Sequence, residues 1–155
     1  APQAFWAEIA AALAKGYRIK LLSTETNPAK ITERDLIFNL NRFGYRELGP
    51  KITEGEEICL EYIIASLLMR GDARRINAIP GILSNNKANR SLLVFLSQKY
   101  GLSGKLLGLL RTMHKTRPEE NISIVISILE ELTLREIKAD EEAVARNMRS
   151  YNAAG

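Results

Sequence analysis

The sequence has few of the residues that carry catalytic and metal chemistry. Its 155 residues include one cysteine, Cys59, and one histidine, His114. A lone cysteine excludes an internal disulfide, which favours a reducing compartment, and we expect an intracellular, cytoplasmic location. It also excludes a zinc site built from several cysteines. The chain has no Gly-rich phosphate loop, nucleophile elbow or His-Glu metal spacing, so we expect no catalytic residues, no metal, no cofactor and no enzyme activity.

Long apolar runs are also missing. The stretch YIIASLLM at 62–69 is far shorter than the roughly 20 residues that a membrane-spanning helix needs, and we expect no membrane span. The first residues, APQAFWAEIAAALAKG, have no basic residues ahead of their apolar part, unlike a signal peptide. The chain starts at Ala1 and not at a Met, which leaves open a trimmed start with residues missing upstream.

The residues that are present have the composition of an ordinary globular protein. Apolar residues make up 46% of the chain and charged residues 26%, and 155 residues suit one domain. We therefore predict a single all-α domain over residues 1–155, with about six or seven helices packed as a bundle or short helical stack. Residues 1–2 and 150–155 are expected to be frayed ends.

The strongest helix is predicted from Glu54 to Arg70. Apolar residues there leave only a narrow polar edge at Glu57, Glu61 and Ser66, so this segment is the candidate central helix. Cys59 is interpreted as a small buried hydrophobic residue on this helix. The other helices are predicted at 3–15, from Thr32 to Gly44, at 90–100, at 103–115, after Thr116 and from about Ala139.

Two segments alternate apolar and polar residues in the manner of a strand, at 17–22 and at 122–128. The first stays open between loop and strand. For the second, Thr116 and Glu119 have the spacing of a capping box and Pro118 suits a first helical turn, which favours a helix.

The net charge of +4 is unevenly distributed. Residues 70–117 contain ten Lys or Arg and one acid, a net charge of +9. Residues 119–142 contain eight acids and two bases, a net charge of −6. A basic block of this kind attracts phosphates or an acidic partner, whereas the alternative is that the two blocks neutralise each other within the fold.

The stretch 96–115, LSQKYGLSGKLLGLLRTMHK, has the turn pattern of a helix-turn-helix. Ser97 is the small residue inside the first helix, and Gly101 marks the turn. The second helix would have to present polar side chains to base edges. Its outward positions contain no Arg, Asn or Gln, and Leu106 and Leu109 would lie against DNA, so sequence-specific reading is disfavoured. His114, in the last turn of that helix, is given a structural role.

These observations favour a non-enzymatic adaptor or regulatory subunit that binds a partner protein. Its predicted surface combines basic residues with an exposed apolar face on the helix 103–115. Charge pairing between the basic and acidic blocks of two copies would give a homo-oligomer. The predicted partner-binding residues are Lys105, Leu106, Leu109 and Arg111.

The alternative is a nucleic-acid-binding regulator that contacts the phosphate backbone through the basic segment 70–117. Such contacts need only charge, so the 96–115 hairpin would be a degenerate helix-turn-helix. Aromatic stacking residues are scarce there, which weakens single-strand binding. The candidate backbone contacts are Arg74, Arg75, Lys87, Arg90, Lys99, Lys105, Arg111, Lys115 and Arg117.

One internal similarity links two distant segments. RDLIFNLNRFG at 34–44 and SLLVFLSQKYG at 91–101 align without gaps, with Phe38 over Phe95 and Gly44 over Gly101. A duplicated helix-plus-turn unit would explain it. Helices that end in an aromatic residue and Gly are common, however, and we favour that simpler interpretation.

Overall fold

The computed structural model describes residues 27–154, and all regular structure in that range is helical. The all-α fold class is therefore confirmed, and 122–128 is helix. The predicted helix at 3–15, the question at 17–22 and the fraying of 1–2 lie outside the described residues. The elements are a 3-10 turn at Pro28–Lys30, α1 Glu33–Arg42, α2 Leu60–Arg70, α3 Ala73–Ile76, α4 Ala78–Asn85, α5 Arg90–Lys99, α6 Ser103–Thr116 and α7 Glu120–Ala154.

The chain divides into two compact units, Ala1–Leu106 and Leu107–Gly155. The first contains the described elements from the 3-10 turn through α5 and the first residues of α6. The second contains the rest of α6 and all of α7. That residues 1–155 behave as a single domain stays a prediction.

Helix α2 is the centre of the first unit, as its apolar sequence predicts. Every residue from Leu60 to Leu68 is buried, and α2 packs against α1, α3, α5 and the 3-10 turn. Gly71 ends the helix in the left-handed conformation, with φ of 73°, and its N–H donates to the carbonyl of Leu67. A glycine is favoured there because a Cβ is strained at positive φ.

The predicted start of this helix at Glu54 is wrong, because α2 begins at Leu60. Residues 51–59, which precede it, have no regular secondary structure, and the side chain of Asn39 in α1 forms hydrogen bonds with their backbone groups. The Asn39 amide donates to the carbonyl of Glu56 at 2.8 Å, and its oxygen accepts the N–H of Ile58 at 2.8 Å. Arg42 donates to the carbonyl of Ile58 at 2.9 Å. In a helix that began at Glu54, these backbone N–H and C=O groups would bond to each other along the helix. Here the side chains of α1 satisfy them instead.

The polar edge predicted for α2 is buried instead of solvated. Glu61 and Ser66 are fully buried, and Glu57 is exposed ahead of the helix. A Glu61 carboxylate oxygen accepts the backbone N–H of Asn89 at 3.0 Å, which ties α2 to the start of α5. Burial, with smaller contributions from neighbouring groups, raises the pKa of Tyr62 to about 12.

In the hairpin of α5 and α6, both helices begin at the predicted residues, each ends within one residue of the predicted position, and the bend is where it was predicted. Gly101 has φ of 67°, and Leu102 N–H donates back to the carbonyl of Ser97 at 2.7 Å. This backward hydrogen bond is the signature of the Schellman helix ending. Ser97 is buried and donates to the carbonyl of Val94, so its small side chain serves the interior of the hairpin.

In the second unit, the sequence placed the helix boundaries wrongly. Thr116 does not cap α7, because it is the last residue of α6 and its hydroxyl donates to the carbonyl of Thr112. The predicted boundary near Ala139 does not exist: α7 is one helix of 35 residues, about 52 Å long. Its sequence has no Gly or Pro to interrupt it. The helix continues to Ala154, and the fraying expected at 150–155 stays a prediction.

Candidate interaction surface

Helix α7 changes character along its length. In its first turns Ile122, Val125 and Leu129 are buried at four-residue and three-residue spacing. From Leu134 to Asn152 every residue except Ala143 is exposed. The second half of the helix is therefore a stretch of chain whose side chains face solvent all round, although its sequence is amphipathic.

Five large apolar side chains are exposed on this second half. The exposed fraction is 52% for Leu134, 48% for Ile137, 61% for Val144, 56% for Met148 and 78% for Tyr151. With Glu141 they are spaced by alternating steps of three and four residues, which is the a and d pattern of a coiled coil. We call these six positions the seam: Leu134, Ile137, Glu141, Val144, Met148 and Tyr151.

The seam has a shallow apolar groove at its middle. Ile137, Val144 and Ala145 form its apolar lining, and Asp140 and Glu141 complete it. The small Ala145 leaves space beside Val144. A helix or an apolar side chain can approach closely at this point, with two carboxylates beside it.

The apolar partner face predicted on α6 is reduced by the structure. Leu106 is fully buried, so it cannot contribute to an exposed face. Leu109 is half-buried, and Lys105 and Arg111 are exposed. Leu106 points inward because it falls in the buried helical spacing that also includes Leu102 and Leu110. Among the described residues, the large apolar side chains that are exposed lie on α7 and not on α6.

In the first unit, acidic neighbours pair with Arg75, one of the predicted backbone contacts, and with Arg70 of the same basic segment. Glu33 pairs with Arg75 at 2.7 Å and with Arg70 at 3.2 Å, and Asp72 pairs with Arg75 at 2.6 Å. Hydrogen bonds from Arg75 lower the pKa of the Asp72 carboxyl, and Asp72 and Glu33 raise the pKa of Arg75. These two guanidinium groups are thus committed to intramolecular ion pairs and have little free charge for phosphate.

The other basic residues of the first unit are dispersed among local contacts. Arg74 donates to the carbonyl of Glu47 at 3.3 Å. Lys99 lies 5.5 Å from the ring centre of Tyr100, a cation-π distance. Lys105 is exposed, and its ammonium lies beside Gly71 at the end of α2. Lys87 is exposed and Arg90 is half-buried.

In the second unit, three predicted basic residues are exposed at the end of α6 and just after it. Arg111 pairs with Glu130 of α7 at 3.2 Å, while Lys115 and Arg117 extend from the following residues. Thr112 is exposed between them and donates to the carbonyl of Gly108. These residues are what the second unit contributes to the predicted nucleic-acid surface.

The two residues with the greatest catalytic potential have structural surroundings. Cys59 is half-buried and precedes α2 instead of lying on it, which corrects its predicted place inside the helix. His114 accepts the backbone N–H of Glu119 through Nδ1 at 3.3 Å, close to the start of α7. Across residues 27–154, no group of three or more His, Cys, Asp or Glu side chains is arranged to hold a metal ion.

The seam was not predicted, although its signal is present in the sequence. Val144 and Met148 lie in the segment predicted as a separate last helix from about Ala139, which hides the continuation of the repeat back to Leu134. Reading the segment as one helix shows the alternating spacing of three and four from Leu134 to Tyr151. Exposure of that face could not have been read from the sequence, because the buried residues Ile122, Val125 and Leu129 have the same spacing.

Comparison with known proteins gives no further guide to the surface. No protein-family model matches the chain, and neither the curated proteins nor the solved structures include a match to it. Among the helices in the described part, none is long and apolar enough to cross a membrane.

Proposed function

We propose that the protein is a non-enzymatic helical interaction protein, an adaptor or regulatory subunit, that binds a helix of a protein partner along the seam. The observation that carries the proposal is the exposure of five large apolar side chains in coiled-coil spacing. Large exposed apolar patches on otherwise soluble surfaces mark interaction sites. Under this proposal the protein acts inside the cell, in the cytoplasm, in keeping with its single cysteine.

The shape of the seam supports a helix as the docking element. Side chains at alternating spacings of three and four form a straight stripe along α7, which fits the holes of a second helix. A strand would need a sheet edge, and the described residues contain no strand. The seam runs over 18 residues, about 27 Å, so the partner helix needs five turns to cover it.

Affinity capture with matched variants tests the proposal. The full chain is immobilised as wild type, as Val144→Gln with Met148→Gln, and as Ala139→Gln with Arg146→Gln, and bound proteins from a native cell extract are quantified by mass spectrometry. Residues 139 and 146 lie on the side of α7 opposite the seam. Glutamine keeps helix propensity high at all four positions.

We expect the wild type and the Ala139→Gln, Arg146→Gln control to retain the same partner. The seam variant should lose it by tenfold or more, since removing two large apolar contacts costs about 3 kcal/mol. Equal capture by all three proteins would overturn the proposal. Circular dichroism must show equal helix content in the three, so that loss of binding reports the surface and not the fold.

The second candidate function is contact with a nucleic-acid backbone, and the exposure of Lys115 and Arg117, beside an Arg111 that is exposed but paired with Glu130, favours it. Its measurement is affinity for duplex DNA or RNA as a function of salt. The affinity should fall steeply with salt and fall further for Arg111→Glu with Lys115→Glu. Lys138→Glu with Arg146→Glu on α7 is the control with the same change in charge. Affinity that does not change with salt would exclude this function.

A further inference from the structure

The six residues before α2, 54–59, are held by side chains of α1, and we call them the strap. The backbone N–H and C=O groups of Glu56 and Ile58 form four hydrogen bonds of 2.8–3.2 Å with one face of α1. The α1 residues that form them are Asp35, Asn39 and Arg42. Ile58 is buried, but residues 54–57 are exposed. The strap is therefore held largely through its backbone.

The sequence of the strap favours a different structure, a helix continuous with α2. Its three glutamates, at positions 54, 56 and 57, would lie in the first turn of such a helix, where the helix dipole favours negative charge. Cys59, at the present start of α2, forms no side-chain capping hydrogen bond. Helix α2 therefore begins at Leu60 without the side-chain cap that usually marks a helix start.

Gly55 favours the strap over the helix in two ways. A Cβ at this position would lie 2.8 Å from Cγ of Phe38 and 3.0 Å from Oδ1 of Asp35, so the strap packs this closely on α1 only with a glycine. Glycine is also among the poorest helix formers. The residue at position 55 thus sets the balance between the two structures.

The connection between α1 and α2 is long enough for the helical alternative. The two helices are antiparallel, because the end of α1 contacts Ile58 through Arg42 and the start of α1 pairs with the end of α2 through Glu33 and Arg70. Six more helical residues would extend α2 by about 9 Å past its present start. Residues 43–53 would then join the two helices, and a segment of this length spans up to about 36 Å.

We propose that residues 54–59 are a conformational switch with two states, the strap bound to α1 and an N-terminal extension of helix α2. The strap is the major state, since it buries Ile58 and supplies partners to the buried Asn39. In the helical state the α1 face of Asp35, Asn39 and Arg42 is released. A polypeptide that binds this face in place of the strap shifts the balance toward the helix. The switch lies in the first unit and is independent of the seam.

NMR chemical shifts of the Cα carbons, measured on the full chain, test the switch through Gly55→Ala. This change removes the fit against Phe38 and raises helix propensity at the same position. We expect the Cα shifts of residues 54–59 to move from non-helical to helical values, while those of α1 stay helical. Gly104→Ala is the matched control, because Gly104 is also exposed and an added Cβ meets nothing within 4 Å. It should leave the shifts of the strap unchanged.

A proline at position 59 blocks the helical state selectively. Cys59 has φ of −59°, which proline adopts, so the present start of α2 is compatible with it. Proline disfavours a helical backbone at the preceding residue, Ile58. In Gly55→Ala with Cys59→Pro, the helical shifts at 54–58 should therefore disappear, while α2 stays helical from Leu60. Helical shifts that persist at 54–58 in this double variant contradict the proposed extension.

The inference is overturned if the strap of Gly55→Ala keeps its wild-type Cα shifts or moves to random-coil values, because the released segment then has no helical state. Loss of amide protection at Glu56 is not the criterion, since the first N–H groups of a helix also have no intrahelical partner.

Arg42→Ala provides a second test that leaves the packing of Gly55 unchanged. It removes an exposed side chain and one of the four strap hydrogen bonds. The Cα shifts of residues 54–59 should move toward helical values by a smaller amount than in Gly55→Ala. Movement toward random-coil values, or no movement, counts against the switch even if Gly55→Ala does not fold.

Discussion

Helices α1 and α5 each contain ten residues, and they begin 57 positions apart, at Glu33 and Arg90. Thr32 caps α1 by accepting the N–H of Asp35, and Asn89 caps α5 by accepting the N–H of Leu92. Each helix ends at an aromatic residue followed by a glycine of positive φ. The alignment noted in the sequence therefore corresponds to the same local structure at both ends of both helices.

The two helices differ at the position in the middle of this shared frame. Asn39 in α1 aligns with Leu96 in α5, and both side chains are buried. Asn39 uses its amide to bind the backbone of Glu56 and Ile58, whereas Leu96 can only pack. The same start and stop signals thus specify both helices. The residue in the middle differs: Asn39 binds the backbone of the segment before α2, whereas Leu96 packs against apolar side chains.

Replacing Asn39 with leucine, the kind of residue at the aligned position of α5, should cause the largest loss of stability. In Asn39→Leu the buried N–H of Ile58 and the carbonyl of Glu56 lose their partners, and each unsatisfied group costs about 1–3 kcal/mol. We expect the free energy of unfolding to fall by about 2–4 kcal/mol, measured by urea denaturation monitored by circular dichroism. The segment before α2 should also lose amide protection in hydrogen exchange.

Asn41→Leu is the matched control on the same helix. The Asn41 amide reaches only the carbonyl of Ile37 in its own helix, and its oxygen is buried with no hydrogen-bond partner in the described part of the chain. Its replacement should change stability by less than about 1 kcal/mol. If the two variants lose the same free energy of unfolding, the hydrogen bonds of Asn39 to the backbone of Glu56 and Ile58 do not stabilise the fold.

Substituting the glycines that follow α1 and α5 should have a smaller effect on stability, and the same effect at both helices. Gly44 has φ of 95° and Gly101 of 67°, and an added Cβ meets nothing within 4 Å at either. Gly44→Ala and Gly101→Ala should therefore each cost only the backbone strain, about 1 kcal/mol, by the same denaturation measurement. Gly108→Ala, inside α6 and also with open space around it, should stabilise by about 0.5–1 kcal/mol. A loss for Gly108→Ala would point to a backbone requirement along α6.

The two halves of α7 teach a related lesson. Ile122, Val125 and Leu129 are buried, and the seam residues with similar spacing are exposed. Apolar periodicity indicates a helix with an apolar face in both halves, although it did not show that the two halves form one helix. It did not indicate which half is covered within the chain, because coverage depends on elements that are distant in sequence.

The same limit explains which predicted features failed. The N-cap Thr32 and the bend at Gly101 were predicted correctly, since each depends on groups within a few residues. The start of α2 was wrong, because Glu54 and its neighbours have a helical pattern that Asn39 overrides from another helix. Thr116 is predicted to cap α7 because its neighbours in sequence and its spacing to Glu119 fit that role. In the structure it is instead the last residue of α6.

The helical class, the centre of the first unit at residues 60–68 and the ends of α1 and α5 could be predicted from the sequence alone. Those features follow from apolar periodicity and from capping and glycine turns, which act over one or two helical turns. The burial of Leu106, the ion pairs of Glu33 with Arg70 and Arg75, and the exposure of the seam from Leu134 to Tyr151 depend on the tertiary structure. Burial and ion pairing are fixed by residues far apart in the chain, and no local pattern encodes which of them meet.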